Sequence, residues 1–371
     1  AQSGDLSVLY GVVTTFVNLT NSYEKQEVLP EMIELAKFAK QHIPEEHPKD
    51  DKKYIDERCK VLCQMEVITA LVALSKTESK TSREMISRVF NSICENKELR
   101  GTVVQQGGAK ALIKLALESN TDKGKKIAAQ ALARIGITIN PEVAFPGQRC
   151  VEVVRPIMAL LHPECEGLQN FEALMSLTNL AQVSPSVRTR ILKDDGFSKI
   201  ELYMFEDHEM IKRAAVQCIA NLILCEEVVR LYEMENDRVK YLVLLSEDDD
   251  LDTAKAASGA LAMLASVSKI SCEKVFQAKD WCTILLQLVS SKDKELQHRG
   301  VVIVYNLIDS DEKVAEKVVE TKILEVLMAI VRPEVDDINE KVKEIALNAL
   351  KRAEEQKLIK PFNGETDQIH E

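Results

Sequence analysis

Apolar residues in this chain fall at helical spacing, and the strings that carry them recur. The strings VVTTFVNLT, ISRVFNSIC, AAQALARIG, ALMSLTNLA, AVQCIANLI, ASGALAMLA, GVVIVYNLI and ALNALKRAE share one layout, with their seventh residues at Asn18, Ser92, Arg134, Asn179, Asn221, Met263, Asn306 and Arg352. Successive marks lie 74, 42, 45, 42, 42, 43 and 46 residues apart. In the last six strings the first residue is small (Ala128, Ala173, Ala215, Ala257, Gly300, Ala346) and the fifth is aliphatic (Leu132, Leu177, Ile219, Leu261, Val304, Leu350). With an eighth residue that is usually Leu or Ile, these positions form one helical face, and the small residue lets another helix approach closely.

Each marked helix is preceded by another apolar helix opened by a turn residue, as in GGAKALIKLAL at 107–117, GFSKIELYMF at 196–205 and WCTILLQLV at 281–289. A shorter, more polar helix follows, for example SVRTRILKDD at 186–195. Three helices in about 42 residues is the armadillo/HEAT period. One such unit cannot cover its own apolar face, so the pattern predicts an all-α, right-handed armadillo-repeat superhelix, an α-solenoid. The long first gap holds HIPEEHPKDDKK at 42–53, a solvated break between helices expected at about 28–41 and 52–75. The acidic run EDDDLD at 247–252 has the character of a solvated loop, and NGETDQIHE at 363–371 that of a mobile polar tail.

Composition narrows the function. The 371 residues include 13 Gly, 10 Pro and one Trp, too few turn formers for a β-rich chain. Net charge is −11, without a Lys/Arg block interleaved with aromatics, which argues against nucleic acid as a partner. No apolar run approaches the roughly 18 residues of a membrane span, and no signal peptide opens the chain, so no membrane partner and a cytoplasmic location are expected. Nine cysteines without CxxC pairs fit a reducing compartment, and neither Cys59 with Cys63 nor Cys218 with Cys225 has the further ligands a metal needs. GxxxxGK, GxGxxG, HExxH and GxSxG are all absent, and His162 with Cys165 has neither an orienting group nor an oxyanion site. Neither an enzyme nor a cofactor is expected.

The remaining candidates are surfaces. The marked residue, the one four before it and the one eight before it share a helical face that would line the concave side of a solenoid. The marked column offers Asn179, Asn221, Met263 and Asn306; four before come Gln130, Met175, Gln217, Gly259 and Val302; eight before come Lys126, Phe171, Arg213, Lys255 and His298. Asn and Gln amides can hold an extended backbone irrespective of its sequence, and the last column would make the stripe locally positive. The same Asn residues could instead bridge turns inside the stack. Armadillo receptors for basic signals pair their Asn with a Trp one turn earlier; here that position holds other residues, so basic-peptide import is not expected. The stretch NPEVAFPGQR at 140–149 sets Val143 and Phe145 among Pro and Gly, where an aromatic either plugs a gap between helices or is presented outward.

NPEVAFPGQR, VVQQGGAKALIKLAL, EALMSLTNLA, QCIANLI and the closing LIKPF together resemble the UCS domain of the myosin-directed chaperones, from about residue 5 to 362. The resemblance implies a co-chaperone of the cytosol, and of the sarcomere in muscle, that folds and protects the myosin heavy-chain motor domain. It also implies a ninety-kilodalton heat-shock chaperone as partner, held through a TPR domain of which this sequence shows no signature. The start at Ala1 without Met then suggests a C-terminal fragment. By the same resemblance, residues 1–75 form an irregular unit at the junction with a central armadillo region, 76–362 the UCS domain and 363–371 a tail. The client site implied is the groove of Lys126, Gln130, Met175, Asn179, Arg213, Gln217, Asn221, Met263, His298 and Asn306. A flexible loop would add Val143, Phe145, Pro146 and Arg149, with Val143 and Phe145 as an apolar hook. The rival expectation is an armadillo scaffold that joins native partners.

Overall fold

The computed structural model describes residues 6–23, 34, 38–39, 47–332 and 338–360, and all regular secondary structure among them is helical. The eight marks fall on eight long helices: α1 (Leu6–Leu19), α2 (Lys80–Glu95), α3 (Asp122–Thr138), α4 (Gly167–Val183), α5 (Glu209–Leu222), α6 (Leu251–Val267), α7 (Lys294–Ser310) and α8 (Glu340–Glu355). The preceding helices appear at Gly108–Leu117, Gly196–Leu202 and Trp281–Val289, and a following one at Pro185–Leu192. The helix expected over 52–75 is two, Lys52–Gln64 and Val67–Leu74, broken at Glu66 with φ 57°. Most of the helix expected at 28–41, residues 42–46 of the 42–53 run and the whole 363–371 tail lie outside the described residues.

Two compact units divide the chain, residues 1–196 and 197–371. In the first, α1 packs on α2, α2 on α3 and α3 on α4; in the second, α5 packs on α6, α6 on α7 and α7 on α8. The six small positions and the six aliphatic positions four residues later are all buried. At Gly300 a Cβ would stand 2.7 Å from Leu288 Cβ and 2.8 Å from the carbonyl carbon of Leu288, so helix 281–289 crosses α7 too closely for any side chain there.

Side-chain caps start most of the long helices. Ser79, Thr121, Asp250, Asp293 and Asn339 accept hydrogen bonds from the first free amides of α2, α3, α6, α7 and α8, each worth about 1 kcal/mol. Trp281 has a bracing role: its ring stands edge-on to Phe276 at 4.6 Å, with Lys317 Nζ over Phe276.

Candidate functional site

The three columns form a largely half-buried face on the long helices, as stacking requires, and within the first unit its polar groups are engaged by neighbours. Gln130 is buried: its Nε2 donates to Glu172 Oε2 at 2.9 Å, while its Oε1 accepts from Asn91 and Gln169. Arg134, at the marked position of α3, donates Nε to Glu172 Oε1 at 2.9 Å and Nη1 to the Asn91 carbonyl, and also pairs with Glu95. The Arg134 and Glu172 side chains are only 7% and 12% exposed, so removing either would strand its partner, at a cost of about 3–5 kcal/mol. Asn179 donates Nδ2 to the Gly136 and Ile137 carbonyls at the end of α3. It therefore bridges turns of the stack. Lys126 faces Glu164 at 3.9 Å, and Met175, like Phe171, is left half-exposed.

In the second unit the basic column is neutralised, contrary to the expected positive stripe. Arg213 forms a bidentate pair with Asp250, Nε to Oδ2 at 2.8 Å and Nη2 to Oδ1 at 2.5 Å, and reaches Asp252 at 3.1 Å. Lys255 pairs with Asp293 at 2.8 Å and Glu295 at 3.5 Å. Asp250 and Asp293 are also the N-caps of α6 and α7, so each cap is clasped by the preceding long helix. The Arg213 hydrogen bonds hold the Asp250 carboxyl down at about 2, and Lys255 lowers that of Asp293. This corrects the view of 247–252 as merely a solvated run, because Asp248 also pairs with Lys212 at 2.5 Å. Gln217, Met263, His298 and Asn306 remain half-exposed on this face with side chains outside any hydrogen bond or ion pair among the described residues, and Asn221 is half-buried beside them.

The 140–149 stretch is a tight turn. Asn140 accepts from the Glu142 amide and, with Pro141 at the first helical position, starts a single helical turn at Pro141–Ala144. Gly147 takes φ +64°, and the buried Cys150 thiol donates to the Phe145 carbonyl at 2.9 Å and the Pro141 carbonyl at 3.4 Å. Phe145 is 0% exposed, its ring edge close to Gly136 of α3. The expectation of Phe145 as part of an outward hook is therefore overturned: the ring is packed inside, against α3. Val143 is 63% exposed and is the apolar side chain the turn does present. Pro146 and Arg149 line a separate cleft of about 450 Å³ with Lys110, Ile113, Lys114, Gln148 and Glu152. The two lysines escape the columns because they sit on a preceding helix; their one-turn spacing is the only sign of them in the sequence.

Chemistry of other kinds is sparse. Among the described residues no three His, Cys, Asp or Glu side chains gather to hold a metal, and no helix is long and apolar enough to cross a membrane. Burial pushes the Cys59 and Cys94 thiols up to about 12 and those of Cys63 and Cys272 to about 11, so they stay protonated at neutral pH.

No protein-family model matches the chain. It is 45% identical over 369 residues to Protein unc-45 homolog B of Danio rerio and 46% identical over 369 residues to that of Homo sapiens, 98% of this chain in both cases. It spans only 39% and 40% of those proteins. Among solved structures, UNC-45 from Drosophila melanogaster superposes with a TM-score of 0.86 at 54% identity, covering 95% of this chain and 45% of that one. The myosin chaperone UNC-45 from C. elegans, solved in complex with an Hsp90 peptide, gives 0.84 at 32% identity, covering 95% and 38%. Repeat period, helix order and sequence agree along nearly the whole chain, which belongs to the UNC-45 family as a counterpart of the C-terminal, UCS portion of those longer proteins.

Proposed function

We propose that the chain is the client-holding part of a myosin chaperone, binding motor domains while they are partly folded. The observation that carries this reading is the likeness, at a TM-score of 0.82 and 32% identity, to an UNC-45 chaperone described as binding and folding muscle myosin. The residues also bear on where the client sits. In the first unit Gln130 and Asn179 are engaged by neighbours, whereas on α5–α7 the half-exposed Gln217, Met263, His298 and Asn306 offer amide, thioether and imidazole groups. Amides suit an extended backbone, and a flexible thioether adapts to varied apolar surface. We assign client contact mainly to α5–α7, with the exposed Val143 as an added apolar contact.

Holding by contact asks no chemical step of this chain, so no nucleotide or cofactor enters the account. Any energy-driven cycle comes from a partner of the Hsp90 class, engaged through a TPR domain of the whole protein, in the cytosol where myosin is made. The test is light scattering from myosin heads at a mildly denaturing temperature, with and without a near-equimolar amount of the chain. Suppressed scattering supports the reading. Unchanged scattering together with binding to native heads would replace it with a scaffold that joins folded partners.

A further inference from the structure

We propose that the cleft between helix 108–117 and the turn at 145–152 is a docking site for an acidic peptide segment. It goes beyond the chaperone reading, since neither Val143 nor any residue of α5–α7 lines it. Lys110 and Lys114 stand one turn apart on the outer side of a helix whose other side, through Ala109, Leu112 and Ala116, is buried. Across the cleft stands Arg149, on the turn fixed by Cys150 and Gly147. None of these three cations forms an ion pair or side-chain hydrogen bond among the described residues.

Other lysines of the surface, Lys269, Lys279 and Lys292 among them, are likewise without an ion pair among the described residues, but these three cations share one concavity. Arg134, Arg213, Lys255 and Arg238 are each held by carboxylates, and the chain carries 59 acidic residues against 48 basic ones. Here three positive groups line a concavity of about 450 Å³ together with one carboxylate, Glu152. Like charges brought together without counter-charge repel one another, and an anionic ligand relieves that cost.

The size and surroundings select the ligand. A nucleic-acid backbone would run beyond three cations onto a surface of net negative charge, and a flat bilayer cannot enter a concave cleft. A short peptide with two or three Asp or Glu residues fits, its carboxylates meeting Lys110, Lys114 and Arg149 while Pro146 and Ile113 provide an apolar wall.

The test is fluorescence anisotropy with a short fluorescein-labelled peptide of Glu and Ser, titrated with the whole chain at low and moderate salt. The expected result is saturable binding that weakens as salt rises, and weakens roughly tenfold or more in Lys110→Gln/Lys114→Gln/Arg149→Gln, three partly exposed ion pairs having been lost. A control with the same charge change at the exposed Lys269, Lys279 and Lys292 should keep wild-type affinity, and both variants should keep the wild-type melting temperature. Absence of saturable binding, equal loss in both variants, or tighter binding of a single-stranded oligonucleotide would overturn the proposal. Myosin-head scattering run in parallel separates the two ideas: suppression without peptide binding removes the cleft alone, and peptide binding without suppression removes the chaperone reading alone.

Discussion

Phe145 shows how the fate of a single ring is set by helices outside its own stretch of sequence. Its ring packs beside Gly136 of α3, whose bare backbone makes room for Ser176 of α4: a Cβ added there would stand 2.3 Å from Ser176 Oγ but at an ordinary contact distance, 3.6 Å, from the Phe145 ring. Phe145→Ala should therefore lower unfolding stability in urea by about 3–5 kcal/mol, whereas Val143→Ser at the exposed neighbour should change it by less than about 0.5. Near-equal effects would contradict the burial. Local pattern around Phe145 is the same for a plug and a hook, and the helix the ring packs against, α3 near Gly136, lies outside the stretch. Asp250 illustrates a second distant dependence. Its carboxyl is held at about 2 against an ordinary 3.8 by Arg213, so the pair adds stability that is full above 3.8 and is lost as pH falls through about 2. Asp250→Asn should cost about 1–2 kcal/mol at pH 6, discounted because Arg213 is a third exposed, and the gap to wild type should close as pH drops below 3.8. A gap independent of pH would leave only a neutral capping role.

Among the elements, the eight long helices were legible because their evidence is local: spacing of small and aliphatic positions, repeated often enough for the period to stand out. Gly300 is the extreme of that series. Five sister positions hold Ala and remain buried, but at Gly300 the backbone of helix 281–289 occupies the place of a Cβ. Gly300→Ala should therefore reduce stability by about 1–3 kcal/mol through overpacking, although Ala is the better helix former. A calorimetric melting point at or above wild type would contradict that close crossing. Less legible was the use of the column eight residues before each mark. As a stripe on one helix, Arg213 and Lys255 suggest positive charge; only stacking of α6 on α5 and α7 on α6 brings Asp250 and Asp293 against them. The inter-helix clasp depends on a register that no single helix reveals.

Across the whole molecule, the description is of two units, each built from long helices stacked in series. In residues 1–196 Gln130, Arg134, Glu172 and Asn179 are tied into hydrogen bonds between neighbours, with Met175 left half-exposed; in 197–371 Gln217, Met263, His298 and Asn306 on the corresponding face have no such ties among the described residues. A repeating groove with equivalent residues, as the columns suggested, is thereby divided into a face held by internal hydrogen bonds and one available for contact. The central claim, that α5–α7 hold partly folded myosin, is tested most directly by the scattering of heat-stressed myosin heads with wild type and with Gln217→Asp/Met263→Asp/Asn306→Asp. These substitutions sit at half-exposed positions, and circular dichroism melting serves as the check that the fold survives. The account predicts suppression by wild type and little by the folded variant; equal suppression by both would contradict it.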